Sequence, residues 1–110
     1  MSPFMFVIRS VPLPCNRHYR TIKQALVHIW VMDTHIDSAR SVALDYIRSL
    51  DWNPLSVEHA LEIREEQIPR FPKEEVSLYH RALRDGVSAD FLASPIREKS
   101  SDSPVEFDSP

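Results

Sequence analysis

Basic side chains cluster near the start of the chain, and they are the residues best suited to chemistry. No acidic residue interrupts the segment 9–23, which carries Arg9, Arg17, His18, Arg20 and Lys23. Guanidinium groups bind planar oxyanions through two parallel hydrogen bonds. The cluster therefore predicts a binding site for a small anion, such as a carboxylate or a phosphate. The alternative is an ordinary solvated loop, or one that receives the acidic end of the chain.

Two histidines, His28 and His59, fall in the middle of predicted strands. His59 is expected to face inward, because Val57, Leu61 and Ile63 alternate with polar residues around it. A histidine whose surroundings tune its pKa can act as a general base, so both are weak candidates for a catalytic role. A hydrogen-bonded structural histidine is the alternative at each position.

The remaining chemistry is restricted by residue type. Cys15 is the only cysteine, and His18 follows three residues later. A nearby imidazolium can activate a thiol, but an active nucleophile normally needs a base held by a third group, so an inert thiol is expected. The histidines show no zinc-ligand spacing, and Gly86 is the only glycine, which excludes glycine-rich nucleotide loops. We therefore expect neither a metal nor a cofactor.

Length and composition indicate one folded domain followed by a tail. The chain has 110 residues, which suits a single α+β domain over 1–96. Residues 97–110 are rich in serine, proline and acidic side chains, so they are predicted to be disordered. The chain shows neither a signal peptide nor a membrane-spanning stretch, and with a single cysteine it is expected to be cytoplasmic.

Hydrophobic periodicity predicts six regular elements in the order ββαβαβ. The segment 21–32 is ambiguous, since its apolar residues also fall at helical spacing. We interpret it as a strand because β-favouring residues fill 27–32. The predicted elements are strands over 3–11, 21–32, 55–65 and 87–94, and helices over 36–50 and 73–85.

This element order predicts a two-layer α+β sandwich. A strand–helix–strand unit implies a parallel pair with a right-handed crossover, which gives a mixed sheet. With two helices on one face of that sheet, the fold is broadly similar to ferredoxin-like folds. The similarity concerns the fold alone and carries no function.

The first two strands are apolar on both faces, so one face of such a sheet is left uncovered. Contiguous exposed apolar surface usually marks a contact site. The sequence therefore predicts a homodimer in which sheet faces or edges meet across a two-fold axis. Its expected interface residues are Trp30, with Leu26 and Met32 beside it. The alternative is that a loop at 64–72 covers the face.

Taken together, these features predict a small homodimeric binding or regulatory module that engages a protein partner or a small anionic ligand. Nucleic acid is not expected, because the net charge is −3 and the aromatic consensus of RNA-binding modules is absent. No membrane partner is expected either. The alternative is a small cofactor-free enzyme with a pocket at the sheet–helix interface or dimer seam, using His28 or His59 with a nearby arginine.

Overall fold

A four-stranded antiparallel sheet forms the centre of the computed structural model, which describes residues 1–96. The strands lie in the order β3-β1-β2-β4. Their bounds are β1 (Ser2–Pro12), β2 (Ile22–Asp33), β3 (Trp52–Glu62) and β4 (Val87–Pro95). Two helices, α1 (Ile36–Ser49) and α2 (Lys73–Asp85), and a short 3-10 helix (Glu65–Arg70) complete the fold. The predicted tail at 97–110 lies outside the described residues.

The predicted α+β class, the ββαβαβ order and the interpretation of 21–32 as a strand are confirmed. The predicted mixed sheet is wrong, because every neighbouring pair of strands is antiparallel. The connection through α1 does make β3 run parallel to β2. However, β1 lies between these two strands, so the parallel pair is never adjacent.

One face of the sheet packs against α1. The side chains of Phe4, Phe6 and Ile8 alternate along β1 and all point to this face, as the two-residue period of a strand requires. The helix contributes three buried residues spaced four apart, Ala39, Ala43 and Ile47. Residues four apart lie on one side of a helix, and alanine at two of these positions lets the helix lie close to the strands.

The opposite face of the sheet packs against α2 and the 3-10 helix. Here the intervening residues of β1, Met5 and Val7, form a second core with Trp30. The covering side chains are Ile63, Ile68, Leu78, Tyr79 and Ala82.

The prediction that two helices share one face is therefore wrong. Central strands that are apolar on both sides bury both sides best when each helix covers a different face. The ferredoxin-like likeness, which needs both helices on one face, is not confirmed. Ile68 and Phe71 pack over the second face, so the alternative of a covering segment at 64–72 describes part of what is observed.

The two helices are capped in different ways. His35 occupies the N-cap of α1 without a side-chain hydrogen bond. The carboxylate of Asp33 accepts a hydrogen bond from the Thr34 amide at 2.6 Å, which lowers the pKa of Asp33. At the end of α2, Gly86 adopts φ 90° and donates its amide to the Ala82 carbonyl, which is the common left-handed glycine cap of a helix.

Within residues 1–96, the structure has no helix that combines the length and the apolar character needed to cross a membrane.

Candidate functional site

Two of the predicted anion-binding residues, Arg20 and Lys23, line one open depression of about 480 Å³ at the hairpin end of the sheet. We call it the hairpin depression. Its remaining wall is largely apolar and consists of Val11, Pro12, Tyr19, Ile22 and Ile96. Neither cation forms an ion pair within the described part of the chain. The depression therefore combines an apolar floor with two positive charges that are unpaired within residues 1–96.

The loop between β1 and β2 is fixed by hydrogen bonds to the rest of the fold. The carbonyl of Asp51 accepts one bond from the Leu13 amide and another from the Asn16 side chain, both at 3.0 Å. On its other side, the carbonyl of Thr21 accepts a bond from the Ile96 amide at 2.9 Å. These contacts hold the backbone of the loop against the α1–β3 connection and the end of β4.

Arg17 and His18 line a different depression, of about 510 Å³, on the side of the α1–β3 connection. The Nε of Arg17 donates to Nε2 of His18 at 3.4 Å. Asp51 also lines this depression, which lowers its positive potential. Cys15 lies there too as an exposed free cysteine.

Arg9 lies apart from the loop, within β1, and its Nε is 3.8 Å from Oε2 of Glu58 on β3. The five predicted residues therefore do not all line one of these two depressions: Arg20 and Lys23 line one, Arg17 and His18 line another, and Arg9 lines neither.

The most organised polar contact involves a residue that the sequence did not single out. Glu75, in the first turn of α2, accepts a hydrogen bond from the Trp30 indole at 2.9 Å. Its second oxygen lies 3.0 Å from Nδ1 of His28. The Glu75 side chain is 17% exposed and that of His28 is 24% exposed. A carboxylate that holds Nδ1 orients the imidazole and leaves Nε2 for another partner.

His59 does not face a pocket, and the prediction that it points inward is wrong. It is exposed, on the same face of the sheet as His28, with Val7 of β1 between them. A register shift opposite Val7 and Ile8, where β3 contains the extra residue Glu58, places Val57 against the α1 core and His59 on the opposite face. At this edge of that face both His59 and Leu61 remain exposed. A bulge of this kind reverses the alternation of side chains along the strand.

The predicted interface residues also differ from expectation. Trp30 is fully buried within the chain, where its ring contacts Phe71 and Tyr79 edge-on, so it cannot be a surface anchor. Met32 is partly buried against the same core, and Leu26 remains partly exposed. Because α2 and the 3-10 helix cover this face, the reason for expecting a face-to-face dimer is removed.

A third depression, of about 340 Å³, lies between α2 and β4 and also carries two cations, Lys73 and Arg81. Unlike the hairpin depression, it contains two acidic residues, Glu74 and Asp90, which offset those charges. Over residues 1–96, no group of three or more histidine, cysteine or acidic side chains is placed to hold a metal ion.

Comparison with known proteins adds no relative from which a role could be transferred. No protein-family model matches the chain, and neither the curated proteins nor the solved structures contain a significant match to it.

Proposed function

We propose that this chain is a small binding module whose ligand is a small anion with an apolar part, such as an aryl or alkyl phosphate or carboxylate. The observation that supports it is the hairpin depression, where Arg20 and Lys23 stand beside an apolar floor without acidic neighbours among the described lining residues. An anion bound there gains two charge-assisted contacts, and its apolar part covers Val11 and Tyr19.

The charge distribution supports this depression over the other two. The depression beside Arg17 includes Asp51, and the one beside Lys73 and Arg81 includes two carboxylates. An entering anion would meet partial repulsion at both of those surfaces, whereas the charged residues among the described lining of the hairpin depression all attract it.

Replacing Arg20 and Lys23 together with serine should weaken binding of phenyl phosphate by about tenfold or more, because two charge-assisted hydrogen bonds are lost. The measurement is a two-dimensional NMR titration of the ¹⁵N-labelled chain with phenyl phosphate, with inorganic phosphate alongside. In the native chain, the amides of Tyr19–Lys23 and Ile96 should show the largest shifts. Both replaced side chains are exposed, so the fold should persist.

A matched control is the double replacement of Lys73 and Arg81 with serine. It removes the same charge from another open depression, and it should leave phenyl phosphate binding unchanged. Equal losses in the two double variants would show that the anion responds only to net charge. That result would contradict a specific site at the hairpin depression.

A second candidate function, a small cofactor-free enzyme, is favoured by one observation. The carboxylate of Glu75 holds Nδ1 of His28, which is how a general base is oriented in hydrolytic sites. The imidazole lies at the margin of the sheet–helix interface, where the sequence placed the alternative enzyme's pocket.

If His28 is a base, replacing it with asparagine should abolish turnover and leave the fold intact, because asparagine can still donate to Glu75. A hydrolysis screen with p-nitrophenyl acetate and p-nitrophenyl phosphate measures the activity, and urea unfolding measures the stability. His59→Asn serves as the control, since His59 is exposed on the same face without such a partner. Equal rates in the native chain and in His28→Asn would exclude His28 as the base.

A further inference from the structure

The two edge strands of the sheet differ in how well they are protected from pairing with another chain. β3 carries Pro54 within the strand, two register shifts along its ladder, and the charges of Glu58 and Glu62. Proline, bulges and edge charges are the devices by which proteins prevent edge-to-edge association. β3 is therefore a protected edge.

β4 has fewer of these devices, and its one register shift lies at its C-terminal end, between Ile22 and Gln24 of β2. Proline occurs only at its last position, Pro95, and Asp90 is its only charged residue. Its ladder with β2 is regular from Gln24–Ser94 to Val31–Val87. Among residues 1–96, the backbone groups of 88–95 bond only to β2, so those on the outer side of the strand have no partner. Such an edge is a template for one more strand.

The sequence of β4 indicates which strand fits this edge. Residues 88–94 read Ser-Ala-Asp-Phe-Leu-Ala-Ser, which is nearly the same in both directions around Phe91. We propose that β4 pairs antiparallel with β4 of a second copy of this chain, about a two-fold axis perpendicular to the sheet at Phe91. The two four-stranded sheets then form one continuous eight-stranded sheet.

In this register, the cross-strand neighbours are compatible in size and charge. Ser88 lies opposite Ser94 of the second copy and Ala89 lies opposite Ala93, while Asp90 lies opposite Leu92. A register centred on Asp90 would instead place two carboxylates opposite each other, which destabilises a sheet. Phe91 already contacts Trp52, with ring centroids 5.1 Å apart, so pairing at Phe91 extends an existing aromatic row.

This dimer goes beyond the proposed anion site and does not depend on it. The hairpin depression is lined by the loop and by Ile96, whereas the pairing uses residues 88–94 of β4. The variant that lacks Arg20 and Lys23 should therefore dimerise like the native chain. Failure of anion binding and failure of dimer formation can be recognised separately.

A charge test at Leu92 measures both the dimer and its register. Leu92 is 51% exposed, so a polar replacement should leave each protomer folded. Leu92→Asp places two carboxylates opposite each other at two symmetric positions and should raise the dimer Kd about tenfold. Leu92→Lys places an ammonium group opposite Asp90 at the same positions, and its dimer should be as tight as the native one or tighter. Sedimentation equilibrium over micromolar concentrations gives both values.

The matched control replaces Leu61, which is 48% exposed on the protected edge strand β3. Leu61→Asp and Leu61→Lys should leave the dimer unchanged. A native chain that stays monomeric throughout this range would overturn the proposal. Equal Kd values for Leu92→Asp and Leu92→Lys would overturn the register, and weakening by the Leu61 replacements would place the contact on β3 instead.

Discussion

Replacing Trp30 with alanine should lower the free energy of unfolding by about 3–5 kcal/mol, the range for truncating a large buried aromatic residue. Trp30 is fully buried and its ring contacts Phe71 and Tyr79, so truncation leaves a cavity between the sheet and α2. It also leaves Glu75 without its indole donor. Urea unfolding followed by circular dichroism gives the value.

Leu26→Ala is the control for this experiment, because Leu26 lies on the same strand and the same face but is partly exposed. Its replacement should cost less than about 1 kcal/mol. A small effect of Trp30→Ala, similar to that of Leu26→Ala, would contradict the position of Trp30 in the core. It would restore the interpretation of this residue as a surface contact.

Replacing Glu75 with alanine should cost about 2–3 kcal/mol of unfolding free energy, because it leaves the buried Trp30 indole without an acceptor. Glu75→Gln should cost much less, since its amide oxygen can still accept from the indole. Both values come from urea unfolding. Glu74→Ala is the control, because the neighbouring Glu74 is exposed and makes no hydrogen bond with a described side chain.

A double-mutant cycle isolates the bond between the two side chains. Trp30→Phe removes the indole donor, and once it is absent, Glu75→Ala should cost at least 1 kcal/mol less than in the native chain. If the cost of Glu75→Ala is the same with and without the indole, the Trp30–Glu75 hydrogen bond contributes nothing to stability.

The order of elements could be predicted because each strand and helix has a clear local pattern. The layer arrangement could not be predicted, although the relevant observation was available. The sequence shows that β1 and β2 are apolar on both faces, which requires two covering layers. It does not show whether the second layer is α2, a loop or another copy of the chain, because amphipathic helices fit either face.

Errors about the site have two physical causes. The bulge at Glu58 places Val57 and His59 on opposite faces of β3, and nothing in a local pattern of apolar residues marks the extra residue. Glu75 has no local sequence signal beyond that of an acidic residue in the first turn of a helix, because its contact with Trp30 is 45 residues distant in the chain. That Arg20 and Lys23 lie at the same depression could be predicted, because they are only three residues apart in the chain.

The two hydrogen bonds accepted by the Asp51 carbonyl connect the β1–β2 loop to the end of α1. This carbonyl accepts bonds from both Leu13 and Asn16, and Asp51 itself adopts φ 66°, a left-handed conformation that costs energy in any residue other than glycine. Loss of the helical turn at the end of α1 would release both acceptor contacts at once. We therefore expect the β1–β2 loop and the end of α1 to open together, although 35 residues separate Asn16 from Asp51. Fraying of α1, which contributes none of the described residues that line the hairpin depression, should therefore change the fluctuations of the β1–β2 loop.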